Sequence, residues 1–179
     1  MNLNRTEVIR RWRMARKKQI QAICLWQMED WVREGLIESE VFYVSINEPG
    51  HKSCLPDGSN VLMLHFDDLD SAIAGREDDF VLFDQSMAQK VLTFLGRVGS
   101  NRLVVHCHLG SSRSGAVACF AHELFGTDAE QFRKDHPLGL KPNRLVLGSL
   151  RDAARLPHRS LPDWCVYNDD EPIDSDSIF

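Results

Sequence analysis

The sequence predicts a single α/β domain in which helices flank a central, mostly parallel sheet of four to five strands. Two observations lead to this fold class. Short apolar runs, each typical of a buried strand, alternate with longer segments whose apolar residues recur at helical spacing. The chain has 179 residues, which is an ordinary length for one domain with a sizeable hydrophobic core.

The predicted strands are short apolar runs. Residues 20–25 and 41–46 enclose a helical stripe from Met28 to Leu36, and this order predicts a βαβ unit with parallel pairing. A third strand is predicted at 61–66 and a fourth at 103–105. The alternation of strands and helices therefore favours a parallel sheet.

The remaining helices are predicted from capping signals and apolar stripes. Asp78-Asp79 is typical of an N-cap pair and precedes a long amphipathic stripe that Gly96 helps to end. Thr127–Glu130 is a capping-box sequence that starts a short helix, and Pro142-Asn143 opens the last one. Another helix follows the fourth strand after a tight loop, with its apolar stripe starting at Ala116.

The two ends of the chain carry opposite charge. Residues 1–19 hold seven basic side chains and one acid, which predicts a helical segment with a solvated face or, alternatively, a docking arm for an acidic partner or a membrane surface. Residues 161–179 form an acidic tail. We therefore expect the folded domain to span 20–160.

Composition limits the partners and the compartment. The net charge is −5, so no nucleic-acid partner is expected, and no apolar run approaches the length of a membrane span. The five cysteines are odd in number and irregularly spaced, which favours the reducing cytoplasm. The sequence does not determine the oligomeric state.

The stretch from Cys107 to Arg113 predicts an anion-binding loop between a strand and a helix. The five residues between them suffice to curl the backbone so that successive N–H groups point inward, above the positive end of the following helix. Gly110 is placed where the chain turns hardest, because glycine tolerates positive φ. Arg113 offers a planar fork that matches two phosphate oxygens. The predicted phosphate-binding residues are His108, Leu109, Gly110, Ser111, Ser112 and Arg113.

Cys107 lies at the bottom of this loop and is the predicted nucleophile. The inward N–H dipoles and the helix N-terminus favour thiolate over thiol. Ser114 is placed to hydrogen-bond the sulfur and make it a better leaving group, and His106 is placed to brace the loop from the strand. A working nucleophile must also be reachable, so we expect the sulfur to face solvent.

The segment HCHLGSSRSG resembles the signature of the cysteine-dependent protein tyrosine phosphatase superfamily, His-Cys-x5-Arg-Ser/Thr, and its Gly-x-Ser-Arg-Ser centre resembles the small dual-specificity branch. The Pro142-Asn143 segment is similar to the carboxy-terminal part of small bacterial members. The resemblance implies the phosphatase fold over 20–160, and hydrolysis of phosphotyrosine in a phosphorylated protein or peptide. It further implies a cysteinyl-phosphate intermediate, with no metal or cofactor. Whether phosphoserine and phosphothreonine are also substrates stays open.

The resemblance also implies a general acid on the loop that follows the strand before the nucleophile strand. Asp68 is the first candidate by its offset from the third strand, and Asp67 and Asp70 are the alternatives. The loop 47–60 also follows a strand at the edge where open α/β sheets carry their sites, so it is a candidate wall of the substrate mouth.

Three other interpretations compete with a protein phosphatase. The same chemistry could act on a non-protein phosphomonoester, such as a phosphoinositide or an RNA 5′-phosphate. A catalytically weak phosphate-binding module is the second alternative. A metal site at His106, Cys107 and His108 is disfavoured, because no further ligand cluster lies nearby in the sequence.

Overall fold

The structure is a computed structural model and describes residues 20–156 except 75, 137 and 138. The basic segment 1–19 and the acidic tail 161–179 lie outside the described residues. The strands are β1 (Ile20–Cys24), β2 (Phe42–Asn47), β3 (Val61–His65) and β4 (Leu103–Cys107). The helices are α1 (Leu25–Arg33), α2 (Gln85–Val98), α3 (Arg113–Leu124), α4 (Ala129–Asp135) and α5 (Arg144–Ala153).

The four strands form one sheet in the order β1-β4-β2-β3, and every neighbouring pair is parallel. This arrangement confirms the predicted fold class. The prediction that β1 and β2 pair directly is wrong, because β4 lies between them. All five residues of β4 are buried, as expected for a central strand covered on both faces.

Hydrophobic clusters cover both faces of the sheet. The larger cluster lies on the face that Val105 points to and is covered by α2, α3 and α5. The smaller cluster lies on the face of Val104, where Met28 of α1 packs with Tyr43. Because both faces are buried, the strands present their functional groups at the ends, and the loops after all four strands meet at one edge.

The long helix α2 begins later than predicted. Its N-cap is Asp84, whose side chain accepts a hydrogen bond from the Met87 N–H at 2.7 Å, whereas Glu77–Asp79 forms a short 3-10 turn. Val81 is instead paired with the loop after β3. Its N–H donates to the Asp67 carboxylate at 2.8 Å, and its carbonyl accepts from the Asp67 N–H at 2.7 Å. This contact between distant segments overrides the local helix signal.

The predicted starts of the last two helices are confirmed within one or two residues. The Asp128 carboxylate accepts from the Gln131 N–H at 2.9 Å, and the Asn143 side chain accepts from the Val146 N–H at 2.9 Å. Each contact satisfies one of the free N–H groups of a helix N-terminus. In the described part of the chain, none of the helices combines the length and the apolar character needed to cross a membrane.

Candidate active site

The nucleophile candidate lies where β4 ends and α3 begins. β4 ends at Cys107, five residues follow, and α3 starts at Arg113. The Sγ atom of Cys107 is 3.1 Å from Oγ of Ser114, within hydrogen-bonding distance. Both residues are buried. The structure therefore brings the predicted thiol and hydroxyl together at the base of the loop 108–112.

Gly110 fixes the loop against the junction of β1 and α1. Its φ is +76°, as the sequence predicts for the hardest turn. A Cβ atom at this position would lie 2.6 Å from the backbone N of Cys24 and 2.6 Å from the backbone C of Ile23. The Leu25 N–H donates to the His108 carbonyl at 3.1 Å. Only glycine permits this close approach of two backbones.

The guanidinium of Arg113 is buried and held by neighbouring loops. Nη1 donates to the Phe66 carbonyl at 2.9 Å, and Nη2 donates to Oε1 of Glu48 at 2.5 Å. Nε is buried without a hydrogen bond to the described part of the chain and lies 3.7 Å from Oδ2 of Asp68. Nε therefore makes no hydrogen bond to the described residues, although the Asp68 carboxylate lies within ion-pair distance.

Glu48 is a site residue that the sequence reasoning missed. Partial burial raises the pKa of its carboxyl. The hydrogen bond and positive charge of Arg113 outweigh this effect, together with a backbone hydrogen bond and a hydrogen bond from His51. The net result is a pKa of about 2. The available signal was its position directly after β2, in the loop 47–60 that was a candidate wall of the mouth. The composition of Asn47–Gly50 is also that of a simple turn, which masks this signal.

Of the three aspartates considered as general acid, Asp68 lies against the loop. Its Oδ1 accepts from Ser112 Oγ at 2.7 Å and from Asn143 Nδ2 at 2.9 Å. The Asp67 carboxylate is instead engaged by the Val81 N–H, and the Asp70 carboxylate accepts from the Arg144 N–H at 2.7 Å. Asp67 and Asp70 thus hold other segments in place.

Asn143 joins the three segments around the site. Its side chain donates to Asp68 and to the Leu69 carbonyl, at 2.9 and 3.3 Å, and its oxygen caps α5. Its N–H donates to the Ser112 carbonyl at 3.2 Å. The sequence predicted this asparagine as a helix start, and its contacts with the loop were not foreseen.

His106 does not brace the loop as predicted. Neither ring nitrogen has a hydrogen-bond partner within residues 20–156 as described, and the residue is fully buried. Burial lowers the pKa of the imidazole to about 4, so the ring is neutral at pH 7. Successive strand residues face opposite sides of the sheet, so the His106 ring lies on the face opposite Cys107.

The other predicted phosphate-binding residues lie in the loop with different exposure. His108 and Leu109 are exposed, whereas Ser111 and Ser112 are half-buried. The Ser111 hydroxyl donates to the Gly139 carbonyl at 3.0 Å. The serine side chains therefore tie the loop to its surroundings.

The expectation that the sulfur faces solvent is wrong for this structure, because Cys107 is 1% exposed. The polar groups around the loop satisfy one another. Asp68 bonds to Ser112, and Arg113 bonds to Glu48. These contacts bring the loop after β3 against the loop 108–112, and Cys107 itself packs in the larger hydrophobic cluster.

No group of three or more histidine, cysteine, aspartate or glutamate side chains that could hold a metal ion occurs in the described ranges. His106 and His108 differ in environment, since the first is buried and the second is exposed. The geometry of these residues therefore gives no support to the competing metal-site interpretation.

No protein-family model matches the sequence, and no curated protein matches it. Several solved structures are similar. The Cydia pomonella PTP-2 phosphatase has 19% identity, covers 75% of this chain and 85% of its own, and has a TM-score of 0.48. Human DUSP28 has 17% identity, coverage of 76% and 92%, and a TM-score of 0.45. A human tyrosine phosphatase-like serine/threonine/tyrosine-interacting protein has 16% identity, coverage of 65% and 78%, and a TM-score of 0.45. The first of these structures is named as a phosphatase, and the third as a tyrosine phosphatase-like protein.

Proposed function

We propose that this chain is a phosphomonoester hydrolase of the tyrosine or dual-specificity phosphatase type that acts on phosphotyrosine through a cysteinyl-phosphate intermediate. One observation carries the proposal. The thiol of Cys107, the hydroxyl of Ser114, the buried guanidinium of Arg113 and the carboxylate of Asp68 converge on one loop. The buried Nε of Arg113 makes no hydrogen bond in the described residues, and a phosphate oxygen would supply one.

The first step would form a bond between the Cys107 sulfur and phosphorus while the bond to the tyrosyl oxygen breaks. Protonated Asp68 would give its proton to that leaving oxygen. Arg113 and the backbone N–H groups of the loop would stabilise the charge on the equatorial phosphate oxygens. The products of this step are the dephosphorylated tyrosine residue of the substrate and phosphocysteine at Cys107.

The second step would release inorganic phosphate. The Asp68 carboxylate, now ionised, would take a proton from water as the water oxygen attacks phosphorus. Ser114 would donate a hydrogen bond to the departing sulfur, which its 3.1 Å distance permits. The sum of both steps is phosphomonoester plus water giving alcohol plus phosphate, with no metal in the cycle.

We propose that the loop after β3 moves on substrate entry, because its Asp68 bonds to the loop 108–112 and Cys107 is 1% exposed. The contacts that would open are the hydrogen bonds of Asp68 to Ser112 and Asn143. Loop closure of this kind excludes water from the reacting groups once the substrate is bound. Asp68 would then hold the loop closed through these hydrogen bonds and also serve as the general acid.

The test is turnover of para-nitrophenyl phosphate in the presence of a chelator. We expect activity in the wild type and its loss in Cys107→Ser and Arg113→Ala, whereas Cys54→Ser is the control at a half-buried cysteine in the loop 47–60. Full activity in Cys107→Ser would show that the mechanism is wrong. Binding of a phosphopeptide without a burst of product would instead indicate a phosphate-binding module.

A substrate panel separates the classes that share this chemistry. Phosphotyrosine peptide, phosphoserine peptide, a phosphoinositide and an RNA 5′-phosphate are compared by kcat/KM. We expect the phosphotyrosine peptide to be preferred.

The cytoplasm is the proposed location, since the described cysteines are all free, as a reducing compartment would leave them.

A further inference from the structure

One side of the candidate active-site mouth is apolar. Among the large apolar side chains of the described residues, Trp26 and Leu109 are the two most exposed, each at 66%. Trp26 lies in the first turn of α1, and Leu109 lies in the loop above Cys107. Isolated exposed apolar side chains are common on protein surfaces, so their meaning depends on whether these two lie together.

Backbone contacts bring together the two segments that carry Trp26 and Leu109. Leu25, the residue before Trp26, donates its N–H to the carbonyl of His108, the residue before Leu109, at 3.1 Å. The next loop residue, Gly110, lies against the Cys24 backbone so closely that a Cβ would come within 2.6 Å of it. Trp26 and Leu109 are thus each the residue that follows this hydrogen bond, one on α1 and one in the loop, and we call this pair the apolar rim.

The other sides of the mouth are polar. Glu48 stands on the loop after β2, and Asp67, Asp68 and Asp70 stand on the loop after β3. Their carboxylates hold Arg113, Ser112 and neighbouring N–H groups in place. The mouth thus combines groups suited to a phosphate with a separate apolar surface that a phosphate cannot use.

We propose that the apolar rim binds an apolar side chain adjacent to the phosphorylated residue of a peptide substrate. The inference rests on the proposed phosphatase function and narrows its substrate class. Trp26 supplies a large rigid ring, which is the kind of side chain that dominates binding energy at interfaces. The rim touches the loop that holds the phosphate, so only the immediate neighbours of the phosphorylated residue can reach it.

A peptide fits this mouth better than an anionic membrane surface. A membrane enzyme that places a tryptophan in the interface also gains from basic side chains facing the lipid headgroups. Here the loop after β3 presents three aspartates beside the site, which would be repelled by an anionic surface. The experiment below includes phosphoinositide vesicles so that binding to a membrane surface would also be detected.

The experiment compares two phosphotyrosine peptides that differ only at the positions flanking the phosphotyrosine, with leucine or with serine. The rates are divided by the rate for para-nitrophenyl phosphate, which is too small to span the rim. We expect wild type to prefer the leucine peptide about tenfold in kcat/KM, which corresponds to about 1.4 kcal/mol. Trp26→Ala is expected to abolish this preference. Leu36→Ala is the matched control, because Leu36 is 50% exposed but lies beyond the opposite end of α1.

Each outcome separates the rim from the proposed function. If the wild-type enzyme turns over the two peptides at equal rates and still hydrolyses para-nitrophenyl phosphate, the proposed role of the apolar rim is refuted. The proposed phosphatase activity would remain supported. If wild type turns over none of the substrates, the same two peptides are compared by binding to Cys107→Ser, and equal affinities overturn the rim. Association with vesicles of phosphatidylcholine and a phosphoinositide that Trp26→Ala removes would also overturn it, in favour of a membrane surface.

Discussion

Replacing Gly110 with alanine tests whether the loop 108–112 is built against the β1–α1 junction as described. The new Cβ would lie 2.6 Å from two backbone atoms, whereas ordinary contact begins at 3.4 Å, so the loop must shift by about 0.8 Å. The φ of +76° adds a second penalty of about 1 kcal/mol for a residue with a Cβ. Overpacking of this kind adds roughly 1–3 kcal/mol. We expect Gly110→Ala to lower the free energy of unfolding by about 3 kcal/mol.

The same shift should damage catalysis more than stability. A displacement near 1 Å of groups that hold a reacting phosphate can cost on the order of 100-fold in rate. We therefore expect kcat/KM for para-nitrophenyl phosphate to fall about 100-fold in Gly110→Ala. The assays are steady-state kinetics and urea denaturation, with circular dichroism to show that the variant is folded.

Gly126→Ala is the matched control for the backbone penalty alone. Gly126 has a φ of +66°, but a Cβ there would meet nothing within 4 Å. It follows the C-terminus of α3, a helix about 18 Å long whose N-terminus carries the site. We expect a loss of about 1 kcal/mol and near wild-type kcat/KM. If Gly110→Ala matches Gly126→Ala in both stability and activity, the close approach of the loop to Cys24 is wrong.

Three further predictions concern the charged and titratable groups around the site. Asp68→Asn is expected to lower kcat for a phosphotyrosine peptide about 100-fold, with little change in Asp70→Asn, and a larger loss in Asp70→Asn would move the general acid to that residue. Glu48→Gln leaves the buried guanidinium of Arg113 without its carboxylate, so urea denaturation at pH 7 should show a loss of about 1 kcal/mol, and unchanged stability would contradict this role. Burial lowers the pKa of His106 from 6.5 to about 4, so the unfolded chain binds a proton that the folded chain does not. Between pH 7 and pH 4.5, the free energy of unfolding should therefore fall by about 2–3 kcal/mol more in wild type than in His106→Phe. Parallel pH profiles of stability for the two proteins would refute this role of His106.

The positions of the strands were largely predictable, because a buried strand needs a short apolar run wherever it lies in the sheet. Their order was not. The pattern of β1, a helix and β2 predicts parallel strands, but it does not reveal that β4 inserts between them. The start of α2 was also misplaced, since the Val81 pairing with Asp67 competes with helix formation only in the folded chain.

The sequence by itself determined that a loop joins a strand to a helix between Cys107 and Arg113. A thiol, an arginine and a glycine at fixed spacing between a strand and a helix have few geometries open to them, so local sequence suffices there. The tertiary structure alone decided that Asp68 rather than Asp67 or Asp70 lies against that loop, that Glu48 holds Arg113, and that the start of α1 lies against His108. These contacts join segments far apart in the chain. They arise because parallel strands deliver their loops to a common edge, and no local pattern records which side chains meet there.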